Sequence, residues 1–75
     1  MTKLPLLKPA ELIRVLDKLG FQLIRQKGSH MFFRHPDGRT TIVPNHPGED
    51  VDRGLLIKII RKDLLIGRDE FLKYV

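Results

Sequence analysis

Two helical stripes of apolar residues enclose the middle of this sequence, and they constrain the fold more than any other feature. The first segment, KPAELIRVLDKLG, places Leu12, Leu16 and Leu19 at the spacing of one helix face. The second runs from about Asp52 to Lys62 and is rich in leucine and isoleucine at helical spacing. Each stripe must be buried against another element, so the chain needs a partner surface for both helices.

Three short segments between the helices have the composition of β-strands. They are FQLIRQK (21–27), HMFFRHP (30–36) and TTIVP (40–44). The PDGR sequence between the last two is a strong turn signal and predicts a hairpin. The GS pair at 28–29 is a weaker turn signal between the first two. We therefore predict a three-stranded antiparallel meander.

These elements predict an α+β fold in the order α-β-β-β-α, with both helices on one face of the three-stranded antiparallel sheet. The segment GRDEFLKYV (67–75) predicts a short C-terminal helix. The other face of the sheet stays open to a ligand or a partner. Phe32 and Phe33 are consecutive, so one of them faces each side. We expect the outward ring to serve as a protein-partner patch rather than a base-stacking platform, because RNA-stacking sheets usually show more aromatic residues.

Length and charge narrow the class of protein. Seventy-five residues allow one domain (1–75), and the absence of cysteine excludes a disulfide framework. Residues 1–48 hold eight basic and three acidic side chains, so they carry the whole net charge of +5. A clustered positive field attracts a polyanion, most commonly nucleic acid, although a merely solvated basic surface explains the charge alone at least as well.

No apolar run is long enough to span a membrane, and the N-terminal MTKLPLLKP has no signal-peptide core or cleavage site. We expect a cytoplasmic protein with no membrane association.

The histidines suggest neither a metal site nor a nucleophilic pair. His30 and His35 are five apart on one predicted strand, so their side chains point to opposite faces. His46 follows a later strand, and no other ligand spacing supports a metal ion or cofactor. Ser29 and His30 are adjacent and point apart on an extended chain, which argues against a serine–histidine pair.

Acid–base chemistry on RNA is the remaining catalytic interpretation. A histidine titrates near pH 6.5 and can take the proton of a 2′-hydroxyl at neutral pH. Gly28 lets a backbone approach closely, with N–H groups near a phosphate oxygen. The candidate phosphate contacts on the strands are Arg25, Lys27, Arg34 and Arg39. On chemistry alone, however, a lone histidine such as His30 is more often an ordinary strand residue with a satisfied hydrogen bond than a catalyst.

The order of the motifs LIRVLDKLGF, RQKGSH, HPDGR, VPNHPGEDV, LLIKIIR and GRDEFL resembles the HicA toxin family, also called YcfA-like mRNA interferases. The resemblance covers about residues 4–72 and is most specific at KGSH followed by VPNH. It implies a double-stranded-RNA-binding-like fold and an RNA endonuclease that cleaves mRNA and halts translation. It also implies a HicB-like antitoxin as partner. The glycine of RKDLLIGRDEF comes later than in many members.

Carried over residue by residue, the resemblance assigns catalysis to His30, the histidine that closes the GSH motif. Gly28, Ser29, Pro44 and His46 match their motif positions. The leading hypothesis is thus a metal-independent endoribonuclease toxin with His30 as general acid or base and no cofactor. The alternatives are a non-catalytic RNA-binding module and a protein-interaction domain. The sequence leaves open which face of the sheet carries His30, because the apolar pair Leu23–Ile24 allows two registers.

Overall fold

The computed structural model describes residues 4–75 as a helix, a three-stranded sheet and a helical C-terminal part. Residues 1–3, including Lys3 of the basic half and the start of the N-terminal segment discussed above, lie outside this description. In chain order the elements are α1 (Pro9–Leu19), β1 (Gln22–Lys27), β2 (His30–Arg34), β3 (Thr40–Pro44), α2 (Arg53–Lys58), a π-helical segment (Ile59–Leu64) and α3 (Arg68–Leu72).

Helix α1 begins and ends at the residues that the sequence indicated. Pro9 is its first residue, and the Glu11 carboxylate accepts a hydrogen bond from the Lys8 backbone N–H at 2.8 Å. Gly20 ends the helix in the left-handed region, with φ of 99°. Glycine is also required there by space, because a Cβ would lie 3.1 Å from Nε2 of His35.

The sheet is an antiparallel meander in the order β1-β2-β3, with β2 in the centre. Met31 and Phe33 of β2 and Val43 of β3 are buried in one apolar cluster with residues of α1, α2 and the π-helical segment. Both helical layers therefore cover the same face of the sheet, and the predicted α+β architecture is confirmed. The residues that alternate with the buried ones point to the open face.

A β-bulge in β1 sets the register between the first two strands. Leu23 is paired with Phe33, but Arg25 is paired with Phe32, so Ile24 is one residue too many for its partner strand. Without this extra residue, regular alternation from Leu23 would turn Arg25 and Lys27 toward the helices. The bulge instead places both cations on the open side, and this resolves the register that the sequence left open.

The second helix begins as predicted and then changes its winding. The Asp52 carboxylate caps α2 by accepting a hydrogen bond from the Leu55 N–H at 3.1 Å. The sequence predicted that this helix ends near Lys62, but the π-helical segment continues to Leu64. Its wider turn brings residues five apart together, and the Lys58 ammonium lies 3.0 Å from the Asp63 carboxylate.

The remaining helical part completes the buried layer. The C-terminal segment forms the short helix α3 that the sequence predicted, and this helix buries Phe71 completely. Within residues 4–75, no helix has the length and apolar character needed to cross a membrane.

Thr41 is the one polar residue buried among those that the structure describes. It lies on the helix-facing side of β3, and its hydroxyl donates a hydrogen bond to the Asp63 carboxylate at 2.9 Å. The bond joins the sheet to the π-helical segment. Since a buried hydroxyl without a partner is costly, this pair specifies how the second helix docks.

We expect Asp63→Ala to lower the free energy of unfolding by about 1–3 kcal/mol, because the Thr41 hydroxyl stays buried without its acceptor. The double variant Thr41→Val/Asp63→Ala removes both polar groups and is expected to lose less than the two single variants together. Urea unfolding followed by circular dichroism measures all three. Strictly additive losses would show that the two side chains are not coupled.

Candidate nucleic-acid interface

The open face of the sheet carries most, but not all, of the residues that the sequence suggested for catalysis and binding. His30, Phe32 and Arg34 alternate with the buried residues of β2 and point away from the helices. Their cross-strand partners add Arg25 and Lys27 from β1. None of these residues is acidic, and the face is therefore a positively charged surface with an aromatic ring at its centre.

His30 is exposed at the first position of β2, and its cross-strand partners are Lys27 and Pro44. Directly opposed residues of an antiparallel pair have Cβ atoms about 5 Å apart and share one face. The imidazole thus stands in solvent with a lysine as its neighbour on β1. It is not packed in the core, so the ring is accessible to a ligand from the open side.

The turn before His30 has a backbone conformation that favours glycine, and two hydrogen bonds to its carbonyl groups hold it in place. Gly28 adopts φ of 59°, and no atom lies within 4 Å of the position of a Cβ. The Gln26 side-chain amide donates to the Gly28 carbonyl at 3.1 Å, and the Asn45 N–H donates to the Ser29 carbonyl at 2.6 Å. The second bond ties the turn to the loop after β3, where His46 is exposed.

Arg25 and Phe32 form a stacked pair in the middle of the open face. The Arg25 guanidinium carbon lies 4.6 Å from the centre of the Phe32 ring, a cation–π distance. Arg25 is exposed, whereas Phe32 is half-buried beneath it. Arg34 lies at the far end of β2 from His30, opposite Thr40. The face therefore extends along the whole central strand.

Arg39 lies elsewhere and makes different contacts. Its Nε donates to the Asp37 carboxylate at 2.8 Å, and its Nη1 donates to the Leu64 carbonyl. The guanidinium carbon also lies 5.3 Å from the centre of the buried Phe21 ring. Arg39 thus connects the β2–β3 turn to the helical layer, at the end of β3 that is distant from His30. The structure brings Arg25 and Lys27 together with His30 and does not bring Arg39 there.

His35 belongs to the same turn rather than to the open face. Its ring packs edge-on against Phe21, with centroids 5.1 Å apart, and its Nε2 is 3.1 Å from the Leu19 carbonyl. Its Nδ1 accepts a hydrogen bond from the Asp37 N–H at 3.1 Å. The Oδ1 atom of Asp37 also lies 3.0 Å from Nδ1, so the ring is held in the turn through both of its nitrogens. Within residues 4–75, no group of three or more histidine, cysteine, aspartate or glutamate side chains is placed to hold a metal ion.

Sequence reasoning missed two features of this face, the bulge at Ile24 and the Arg25–Phe32 stack. The one available signal was the pair Leu23–Ile24, since two consecutive apolar residues break the alternation of a half-buried strand. The stack had no signal, because it depends on which residue of β2 faces Arg25 across the bulge.

The fold and this face define a small α+β domain that presents a cationic sheet surface with an exposed histidine, a class of protein suited to binding polyanions. The family model for the HicA toxin of bacterial toxin–antitoxin systems matches residues 9–64. The chain belongs to the HicA toxin family, and it is therefore the toxin of a toxin–antitoxin pair with an antitoxin as its partner. A comparison with curated proteins gave no match.

The Asp37 carboxylate gives a pH test of the turn that holds Arg39. Hydrogen bonds from the Arg39 backbone and side chain hold the pKa of Asp37 below its ordinary value of 3.8. Because its pKa is lowered on folding, the Asp37 carboxylate stabilises the folded state at pH values above its ordinary pKa of 3.8. This contribution is lost as the pH falls through the lower pKa of the folded state. We expect Asp37→Asn to lower Tm at pH 7, with a smaller difference from the wild type at pH 3. Equal differences at both pH values would contradict this.

Proposed function

We propose that this toxin is a metal-independent endoribonuclease in which His30 is the general acid–base. The observation that carries the proposal is the exposure of His30 on the open face of the sheet, beside Lys27 and in the same cationic patch as Arg25. Imidazole is the side chain that most often serves as general acid and base in enzymes, and here it is accessible to a substrate. The open face leaves room for a strand of RNA along β2.

In the proposed reaction, the imidazole of His30 carries out both proton transfers. His30 accepts the proton of a ribose 2′-hydroxyl, and the resulting oxygen attacks the adjacent phosphorus. The bond from phosphorus to O5′ breaks, and the protonated imidazole returns its proton to O5′. The products are a 2′,3′-cyclic phosphate and a 5′-hydroxyl end. In this proposal Lys27, the partner of His30 on β1, stabilises the negative charge that develops on the phosphoryl oxygens.

The remaining predicted contacts take supporting roles. The turn at the exposed Gly28 and the half-buried Ser29 offers backbone N–H groups to a phosphate oxygen, and Arg34 extends the positive charge along β2. Arg39 remains a predicted RNA contact, but the proposal does not depend on it. We further propose that mRNA in the cytoplasm is the substrate, that cleavage blocks translation, and that the partner is a HicB-like antitoxin.

We expect His30→Ala to abolish RNA cleavage while leaving the fold unchanged, because His30 is exposed and lies outside the apolar core. Losing a general acid–base costs about 10²–10⁴-fold in rate. The measurement is single-turnover cleavage of labelled RNA in EDTA, with product ends identified by their sensitivity to phosphatase and kinase.

His46→Ala is the matched control, since it removes the other exposed histidine near the turn. If His30→Ala still cleaves at the wild-type rate, the catalytic assignment is wrong. If the wild-type protein binds RNA in EDTA without producing fragments, the protein is a non-catalytic RNA-binding module.

We expect Lys27→Gln to weaken RNA binding and to flatten its salt dependence, because Lys27 is placed to bind a phosphate. For single-stranded RNA, removing one lysine–phosphate interaction reduces the slope of log affinity against log salt by about 0.7. Lys62→Gln is the matched control, because it removes an exposed cation from the helical side of the molecule. Identical slopes for Lys27→Gln and the wild type would rule out a phosphate interaction there.

A further inference from the structure

We propose that the Arg25–Phe32 stack is a platform for one nucleobase of a single-stranded RNA, so that Arg25 contacts a base rather than only a phosphate. This inference rests on the proposed RNA function and deepens it, because it assigns the recognition of a base next to the cleaved bond. It also replaces the sequence-based expectation that the outward phenylalanine meets a protein partner.

The geometry of the pair favours stacking. The half-buried Phe32 ring supports the guanidinium from below at 4.6 Å and holds it over the sheet. The outer side of the exposed guanidinium is then a planar, positively charged surface that faces solvent. Nucleobases stack on aromatic rings and on arginine planes alike, so a base laid on Arg25 would continue the column that Phe32 begins. Ile42, which is 44% exposed and opposite Phe32 on β3, adds an apolar border.

The position of the stack relates it to the reaction. Phe32 is two residues from His30 on the same face of β2, which corresponds to about 6.5 Å along the strand. A ribose held at His30 would therefore have its own base or the next base within reach of Arg25. The stack would thus orient the nucleotide whose 2′-hydroxyl reacts, and it would contribute to the choice of cleavage site.

The charge of the surroundings favours RNA over a protein as the occupant. Arg25, Lys27 and Arg34 surround the ring, and none of the described open-face residues of β2 or their partners on β1 and β3 carries a carboxylate that would neutralise them. A polyanion with planar bases matches both the charge and the flat surface. A purely apolar protein patch would leave these cations desolvated without partners.

The test separates stacking from charge. Binding is measured by fluorescence anisotropy on 2′-O-methyl oligonucleotides, which cannot be cleaved, with and without abasic positions. The wild-type protein should bind the base-bearing strand about tenfold more tightly than the abasic one. In Arg25→Lys, which keeps the charge but loses the planar group, this preference should fall to about twofold or less with an unchanged salt slope. Phe32→Leu should also reduce the preference for the base-bearing strand, whereas Phe32→Tyr, which keeps an aromatic ring, should retain it.

Lys27→Gln is the control with the opposite signature, since it should change the salt slope and leave the preference for bases intact. A base preference in Arg25→Lys equal to that of the wild type would overturn the proposal. So would a result in which Arg25→Lys and Phe32→Leu weaken binding to the co-expressed antitoxin but not to RNA. None of these binding measurements requires cleavage. If the wild-type protein shows the predicted preference for bases but no nuclease activity, only the catalytic proposal is refuted.

Discussion

The burial of one side of β2 is the constraint on which the rest of the molecule depends. Met31 and Phe33 pack with the helices, and the pleat of the strand then directs His30, Phe32 and Arg34 to the opposite side. The direction of the histidine side chain is thus set by the burial of its neighbours on the strand. Substitutions on the open face can change the chemistry with little effect on the core, whereas a change at Met31 or Phe33 would disturb both.

The exposure of the cationic face to water limits the strength of each ionic interaction made there. Each charge is surrounded by water and screened by salt, so a single ionic interaction contributes little. A flexible polyanion overcomes this weakness by binding several cations at once, and it releases counterions when it does so. Phe32 and Ile42 add apolar area to this face, so an interaction that covers them also gains from the burial of apolar surface.

Local signals predicted the elements whose structure is decided locally. Pro9, Gly20 and the PDGR turn are residues whose own backbone preferences determine the conformation, and the corresponding helix and hairpin were correct. The bulge at Ile24 and the π-helical segment were not predictable, because both depend on how distant elements fit together. The π-helical segment contains Asp63, whose carboxylate meets Thr41 of β3, a residue that is distant in the sequence. Likewise, Arg39 resembled any other strand cation until the fold placed Leu64 and Phe21 beside it.

The bulge in β1 has a consequence beyond the placement of two cations. Among residues 4–75, β1 is an outer strand with β2 as its one neighbour in the sheet, and all of its residues are exposed. A flat outer strand of this kind invites another chain to add itself and begin fibril-like stacking. An irregular backbone flanked by positive charges discourages such an addition. The same irregularity that brings Arg25 and Lys27 to the open face thus disfavours the polymerisation of this small protein with its own copies.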